Sequence, residues 1–157
     1  MLYGSLSRNK KRHKIKTISM LEIESKEVLE ETQKVVIDSY FETINRHDFV
    51  AAAELFAETG KLLAPFESPI IGRAAIAAYL SQEATGMKLI PQQIVIVKET
   101  TEDNLSLIKV SGKVKTSLFT VNVGWHFCLD QAPQIIVAKI KLLASPQELL
   151  NLQTIAK

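Results

Sequence analysis

The hydrophobic period of this chain changes once, and that change sets the order of its elements. Up to about residue 84 the apolar side chains recur at helical spacing; beyond residue 88 they alternate. Val28, Val35, Val36, Tyr40, Phe41 and Ile44 predict a helix over Ser25–Arg46, with Glu24, Glu27, Glu30 and Glu31 crowded where carboxylates suit a helix N-terminus. Asp48 can cap a second helix over Phe49–Ala57, which Gly60 stops. Lys61–Phe66 and Ser68–Ile71 read as short extended pieces around Pro65 and Pro69. Gly72 opens a third helix, Arg73–Ala84, with Ile76, Tyr79 and Leu80 on its apolar stripe and Gly86 at its end.

The second half reads as strands. Ile94–Val97 is a β-branched run, and Ile108, Val110, Gly112 and Val114 alternate with Lys109, Ser111, Lys113 and Lys115. Leu118–Leu129 and Ile135–Leu143 bring the set to at least four. Ser145-Pro146-Gln147-Glu148 is a capping box that starts a short terminal helix over Glu148–Leu152. Helices followed by strands predict an α+β fold, an antiparallel sheet with helices on one face. With 157 residues, 46% of them apolar, the chain can bury one real core.

Charge is distributed unevenly. Residues 1–19 hold six of the 19 basic residues (Arg8, Lys10, Lys11, Arg12, Lys14 and Lys16) and no acid, leaving 13 basic residues against 17 acidic ones from residue 20 onward, a net of −4. The domain, residues 20–157, is therefore mildly acidic, and the overall charge of +2 is no nucleic-acid footprint. The tail lacks the apolar core of a secretory signal and is expected to be disordered. Three readings of it stand side by side. It is a start-site artefact ahead of Met20, where MLEIESKEVLEE reads as a natural N-terminus, or a solvated extension without a role. The third is a strip adhering to an anionic membrane surface, where each Lys or Arg contributes on the order of 1 kcal/mol. The single cysteine, Cys128, excludes an internal disulfide framework and makes a reducing cytosol the expected compartment.

Familiar catalytic motifs are absent: no Gly-rich phosphate loop, no nucleophile elbow, no metal-binding HExxH pair. His13, His47 and His126 are scattered and make a poor metal site. The strand Gly124–Asp130 says more. By period two, Trp125, Phe127 and Leu129 share one face and His126, Cys128 and Asp130 the other. Trp125 on the helix side becomes an apolar body carrying one N–H donor, and Tyr40, inside the apolar stripe of the first helix, is its counterpart. Two readings remain open at this point. The pair are core aromatics whose donors reach backbone carbonyls or water, or they are donors at the bottom of an apolar cavity, holding one polar atom of a hydrophobic ligand.

Four segments carry a resemblance: PFESPIIGRAAIAAYL (Pro65–Leu80), MKLIPQ (Met87–Gln92), IKVSGKVKT (Ile108–Thr116) and LLASPQELLNL (Leu142–Leu152). From about Val35 to Leu152 the chain closely resembles the C-terminal domain of the cyanobacterial orange carotenoid protein, which has the nuclear transport factor 2-like fold. The resemblance implies a cone of bent antiparallel sheet on three N-terminal helices, with a carotenoid ring in its mouth. The helical N-terminal carotenoid domain has no counterpart here, so the chain is similar to stand-alone C-terminal domain homologues. These bind ketocarotenoids of the canthaxanthin or echinenone type as homodimers and exchange pigment with membranes and with separate helical carotenoid proteins. The implied role is carriage and photoprotective singlet-oxygen quenching rather than catalysis, in the cytoplasm with visits to the thylakoid membrane, and without nucleic acid.

The resemblance also implies a Tyr and a Trp hydrogen-bonded to the ring's keto oxygen. Tyr40 in SYFETIN and Trp125 in GWHF match those positions, and Ile44, Ile71, Leu89, Thr116, Phe119, Phe127, Ile140 and Leu142 match the pocket wall. Leu118 stands where the family has a second tryptophan, and about four residues are missing between Phe119 and Trp125, which predicts a tighter connection and a less aromatic mouth. Glu83 matches a carboxylate that bridges to the N-terminal domain, leaving it a surface charge or a docking residue. Some stand-alone homologues use an exposed cysteine for a redox-sensitive dimer; Cys128 is the candidate here, against the plainer reading of a sheet thiol. The rival class is an isomerase or hydrolase of the same cone, with Tyr40 as oxyanion donor beside a carboxylate base. Inward strand parity supplies no such base, and Glu67 at the mouth is the weak candidate. A pigment-free dimerisation module is the third.

Overall fold

A buried row on one helix anchors the architecture. Ile37, Tyr40, Phe41 and Ile44 are spaced one and two turns apart along helix α1 (Met20–Asn45) and all are buried. The computed structural model describes residues 20–97 and 103–143, with side chains from residue 30 onward. The chain divides into two units after Lys34, and the sheet, the later helices and α1 from Val35 belong to the second. The expected terminal helix over Glu148–Leu152 and the tail, residues 1–19, lie outside the described residues.

Helix α1 ends where His47 takes a positive φ of 62°. Asp48 then caps α2 (Phe49–Glu54), accepting from the Ala51 N–H at 3.2 Å. Strand β1 (Phe56–Leu63) follows almost at once, then the two-residue β2 (Ile70–Ile71), α3 (Arg73–Glu83), β3 (Lys88–Val97), β4 (Ser106–Lys115), β5 (Thr120–Leu129) and β6 (Ile135–Leu143). The strands form one six-stranded sheet in the order β2-β1-β6-β5-β4-β3. Its neighbours run antiparallel except β1 and β6, which are parallel. The wholly antiparallel sheet expected from the sequence is corrected here: more than seventy residues separate β1 from β6, so no hairpin fixes their relative direction.

Two glycines were open to misreading. Gly60 lies inside β1 and does not stop α2. A Cβ there would approach the Ile135 carbonyl oxygen to 2.8 Å, at the point where the β1–β6 register shifts. Gly86 takes no positive φ, and α3 closes instead with the Ala84 N–H bonded to the Leu80 carbonyl. Gly112 faces a bulge in β3 between Pro91 and Gln93, and a side chain there would overlap the Ile90 carbonyl. Pro91 itself is tolerated because β3 is an edge strand.

The core lies between the helices and one sheet face. Trp125, Phe127, Leu129, Ile108, Val110 and Ala138 point inward with Phe56 and Leu62 of β1. Tyr40 meets Phe127 edge-on at 4.9 Å between ring centroids, and Phe41 meets Trp125 the same way at 4.9 Å. Val35, assigned to the apolar stripe by sequence spacing, is exposed; Ile37 takes that place.

Candidate functional site: an apolar cavity with two donors

Beside the core the inner sheet face opens into a cavity of about 370 Å³, within the size range of small-molecule sites. Helix α1 supplies Tyr40 and Ile44; β3 supplies Leu89; β4 supplies Val114; β5 supplies Val121, Val123 and Trp125; β6 supplies Ile140 and Leu142. Register brings these together. Trp125 pairs with Ile140 on one side and Val110 on the other, Val123 with Leu142, and Leu89 with Val114, so all share the inner face. Leu89 is held to α1 by a two-point clamp: Asn45 Nδ2 donates to the Leu89 carbonyl at 2.8 Å, and the Leu89 N–H donates to Asn45 Oδ1 at 2.8 Å.

The remaining wall comes from the turn Ala64–Glu67 and from Tyr79, Leu80, Glu83 and Ala84 of α3, with Met87 beyond it. Phe66 at this lip is 97% exposed and holds a positive φ of 65°. Opposite it, the β4–β5 connection is a tight turn in which the Thr116 N–H donates to the Phe119 carbonyl at 2.8 Å. The Thr116 hydroxyl is used within that turn, donating to the Phe119 carbonyl and accepting from the Leu118 and Phe119 N–H groups. Phe119 lines the cavity; Leu118 projects to solvent and does not.

Among the cavity's polar groups two stand apart. Tyr40 and Trp125 are each 1% exposed, yet neither side chain has a hydrogen-bond partner among the described residues. Among the described residues no side-chain nitrogen or oxygen sealed from the surface lacks a partner, so the little surface these two expose includes their donor atoms. Both are lining residues, and their donors therefore look into the cavity. Burial, and secondarily Tyr79, push the Tyr40 phenol far above its ordinary range, keeping it a neutral donor. The Tyr79 phenol is also raised, by burial first and then by Glu67 and Glu83. An apolar chamber with two neutral donors suits a hydrophobic molecule carrying one acceptor oxygen.

Of the expected wall residues, Ile44, Leu89, Thr116, Phe119, Ile140 and Leu142 line this cavity, as do Tyr40 and Trp125. Two do not. Phe127 shares the face of Trp125 but is packed under Tyr40 and Phe41, two residues nearer the β1 side of the core. Ile71 ends the edge strand β2, is 55% exposed and does not line the chamber. Val121 and Val123 were not foreseen, although their parity with Trp125 gives the signal; the turn at Ala64–Glu67 offers none. Glu83 and Glu67 both reach the cavity wall. Cys128 lies on the opposite sheet face, half-buried, its thiol raised by burial and then by Asp130. Among the described residues no cluster of His, Cys, Asp and Glu could hold a metal, and no helix is long and apolar enough to cross a membrane.

No family model matches the sequence. The chain is 43% identical over 117 residues to the orange carotenoid-binding protein of Limnospira maxima, a match covering 72% of this chain and 36% of that protein. The structure of the Anabaena orange carotenoid protein binding canthaxanthin superposes with a TM-score of 0.65 at 35% identity, over 74% of this chain and 38% of that one. A nuclear transport factor 2-like protein with a cystatin-like fold from Novosphingobium aromaticivorans shares the fold alone, at 20% identity and a TM-score of 0.62 over 87% of this chain and 99% of that one. The chain spans well under half the length of the carotenoid proteins it matches. Over about three-quarters of its own length it is a homologue of the orange carotenoid protein, in the region of that protein's C-terminal nuclear transport factor 2-like domain.

Proposed function

We propose that this protein binds a ketocarotenoid, with Tyr40 and Trp125 donating hydrogen bonds to the keto oxygen and the apolar wall enclosing the end ring. The observation that carries the reading is the pair of buried donors, their side chains unpartnered among the described residues, in the wall of a predominantly apolar chamber. The binding of canthaxanthin by the Anabaena relative supports it. Burial of the ring supplies affinity at ~25 cal/mol per Å². The donors supply orientation and selectivity, since each left unpaired on a bound hydrocarbon costs roughly 1–3 kcal/mol.

The role is carriage and photoprotection rather than catalysis: the pigment quenches singlet oxygen and passes between this protein, membranes and a helical carotenoid partner. A polyene is far longer than this chamber, so the exposed apolar lip at Phe66 and Phe119 favours a second copy closing over the free end. Cys128 takes no part in this scheme, because a thiol held high by burial forms little thiolate and sits on the other sheet face. Expression in cells that accumulate canthaxanthin or echinenone tests the proposal. Coloured protein with a red-shifted visible band is the expected outcome, and colourless protein from pigment-rich cells contradicts it.

A further inference from the structure

The outer face of the sheet carries a pattern that the cavity does not use. Strands β3, β4, β5 and β6 contain six lysines (Lys88, Lys109, Lys113, Lys115, Lys139 and Lys141) and no carboxylate. All six are exposed and fall on the parity opposite to Leu89, Val114, Trp125 and Ile140, so they project from the face away from the chamber. Register gathers them. Lys139, His126 and Lys109 lie directly across β6, β5 and β4, and Lys115 sits opposite Lys88 on β3. Among the described residues none of the six lies within ion-pair distance of a carboxylate. Four strands at ~4.8 Å and six residues at ~3.4 Å give a positive field of roughly 14 by 20 Å.

We propose that this face docks on an anionic lipid bilayer. Its lysines are point charges suited to diffuse, exchangeable headgroups, and no arginine stands among them to grip one phosphate by a fork. Aliphatic side chains lie between the charges: Val95, 48% exposed, and Leu143, which packs over Gly124, can settle into the headgroup boundary. Nucleic acid fits less well, because sheet faces that take single strands stack bases on aromatic rings and the outward positions here include none beyond His126. Face-to-face pairing of two copies would set lysines against lysines. The same crowding acts on His126, whose imidazole is held below its ordinary range by burial, then by Lys141, Lys109 and Lys139.

The test uses the full chain and extruded vesicles of phosphatidylcholine, with and without about one-third phosphatidylglycerol, read by co-sedimentation. Each lysine at an anionic surface is expected to contribute about fivefold to partitioning. Lys109→Gln, Lys139→Gln and Lys141→Gln together should therefore lower binding to the anionic vesicles on the order of 100-fold, with the tail lysines intact. Raising salt to about 1 M should abolish it. The corresponding Glu variant should bind still less; if it fails to fold, the Gln variant carries the test. Wild-type partitioning by the Gln variant overturns the proposal, since binding would then reside elsewhere, including in the basic residues of the tail. Equal binding to pure phosphatidylcholine, or tighter capture of a single-stranded oligonucleotide than of the vesicles, overturns it equally.

Discussion

Tyr40 and Trp125 can be tested in the empty protein as well as with pigment. A hydroxyl bonded to another part of the fold stabilises it, and its removal typically costs about 1 kcal/mol. Tyr40 has no such partner among the described residues and its ring is held edge-on by Phe41 and Phe127. Tyr40→Phe is therefore predicted to leave stability in urea unchanged within about 0.5 kcal/mol, or to raise it slightly. A loss well above 1 kcal/mol would mean that the phenol serves the fold. Phe127→Ala, by contrast, should cost about 3–5 kcal/mol, because that ring is fully buried among Tyr40, Phe41 and their neighbours. Strand parity in the sequence separates Trp125 from His126 and Cys128 correctly. It gives the face of Phe127 but not its depth along the sheet, which depends on where α1 crosses.

At the scale of elements, the helix-to-strand clamp decides how α1 meets the chamber wall. Asn45→Ala removes both hydrogen bonds to Leu89 and strands that part-buried peptide, so a loss of about 2–4 kcal/mol is predicted. Asn45→Asp keeps the acceptor for the Leu89 N–H but not the donor to its carbonyl and should fall between. Equal stability of the Ala variant and the wild type would rule the clamp out as a structural device. Strand β5 carries a pH dependence as well. His126 binds its proton more weakly in the fold than in the open chain, so the unfolded state takes up more protons as pH drops. Its contribution is complete above the ordinary imidazole range near 6.5 and is lost as pH falls below it. His126→Gln should flatten that part of the stability profile measured by denaturant titration. The alternation in β4 and β6 and the caps Asp48 and Gly72 were legible in the sequence. Gly60 was not, because a glycine after a short helix looks like a stop until the close carbonyl of Ile135 is seen.

For the whole molecule, the period change at residue 88 foretells the α+β order, yet the parallel β1–β6 pairing escapes it. Long-range partners are chosen by the packing of β1 between β2 and β6, and no local signal encodes them. Net charge misleads in a similar way. An acidic total from residue 20 onward conceals a sheet face on which the four strands carry lysines and no carboxylate, with Asp130 just beyond the end of β5. The cavity and the basic face occupy opposite sides of one sheet, so each can be altered without touching the other. β-Carotene and canthaxanthin differ at the keto oxygen, the atom proposed to meet Tyr40 and Trp125 in the cavity. In cells supplying both, the purified protein is predicted to carry canthaxanthin by at least about tenfold over β-carotene, a preference that Tyr40→Phe with Trp125→Phe abolishes. Equal loading of the two pigments by the wild type, or an undiminished preference in the double variant, would contradict it.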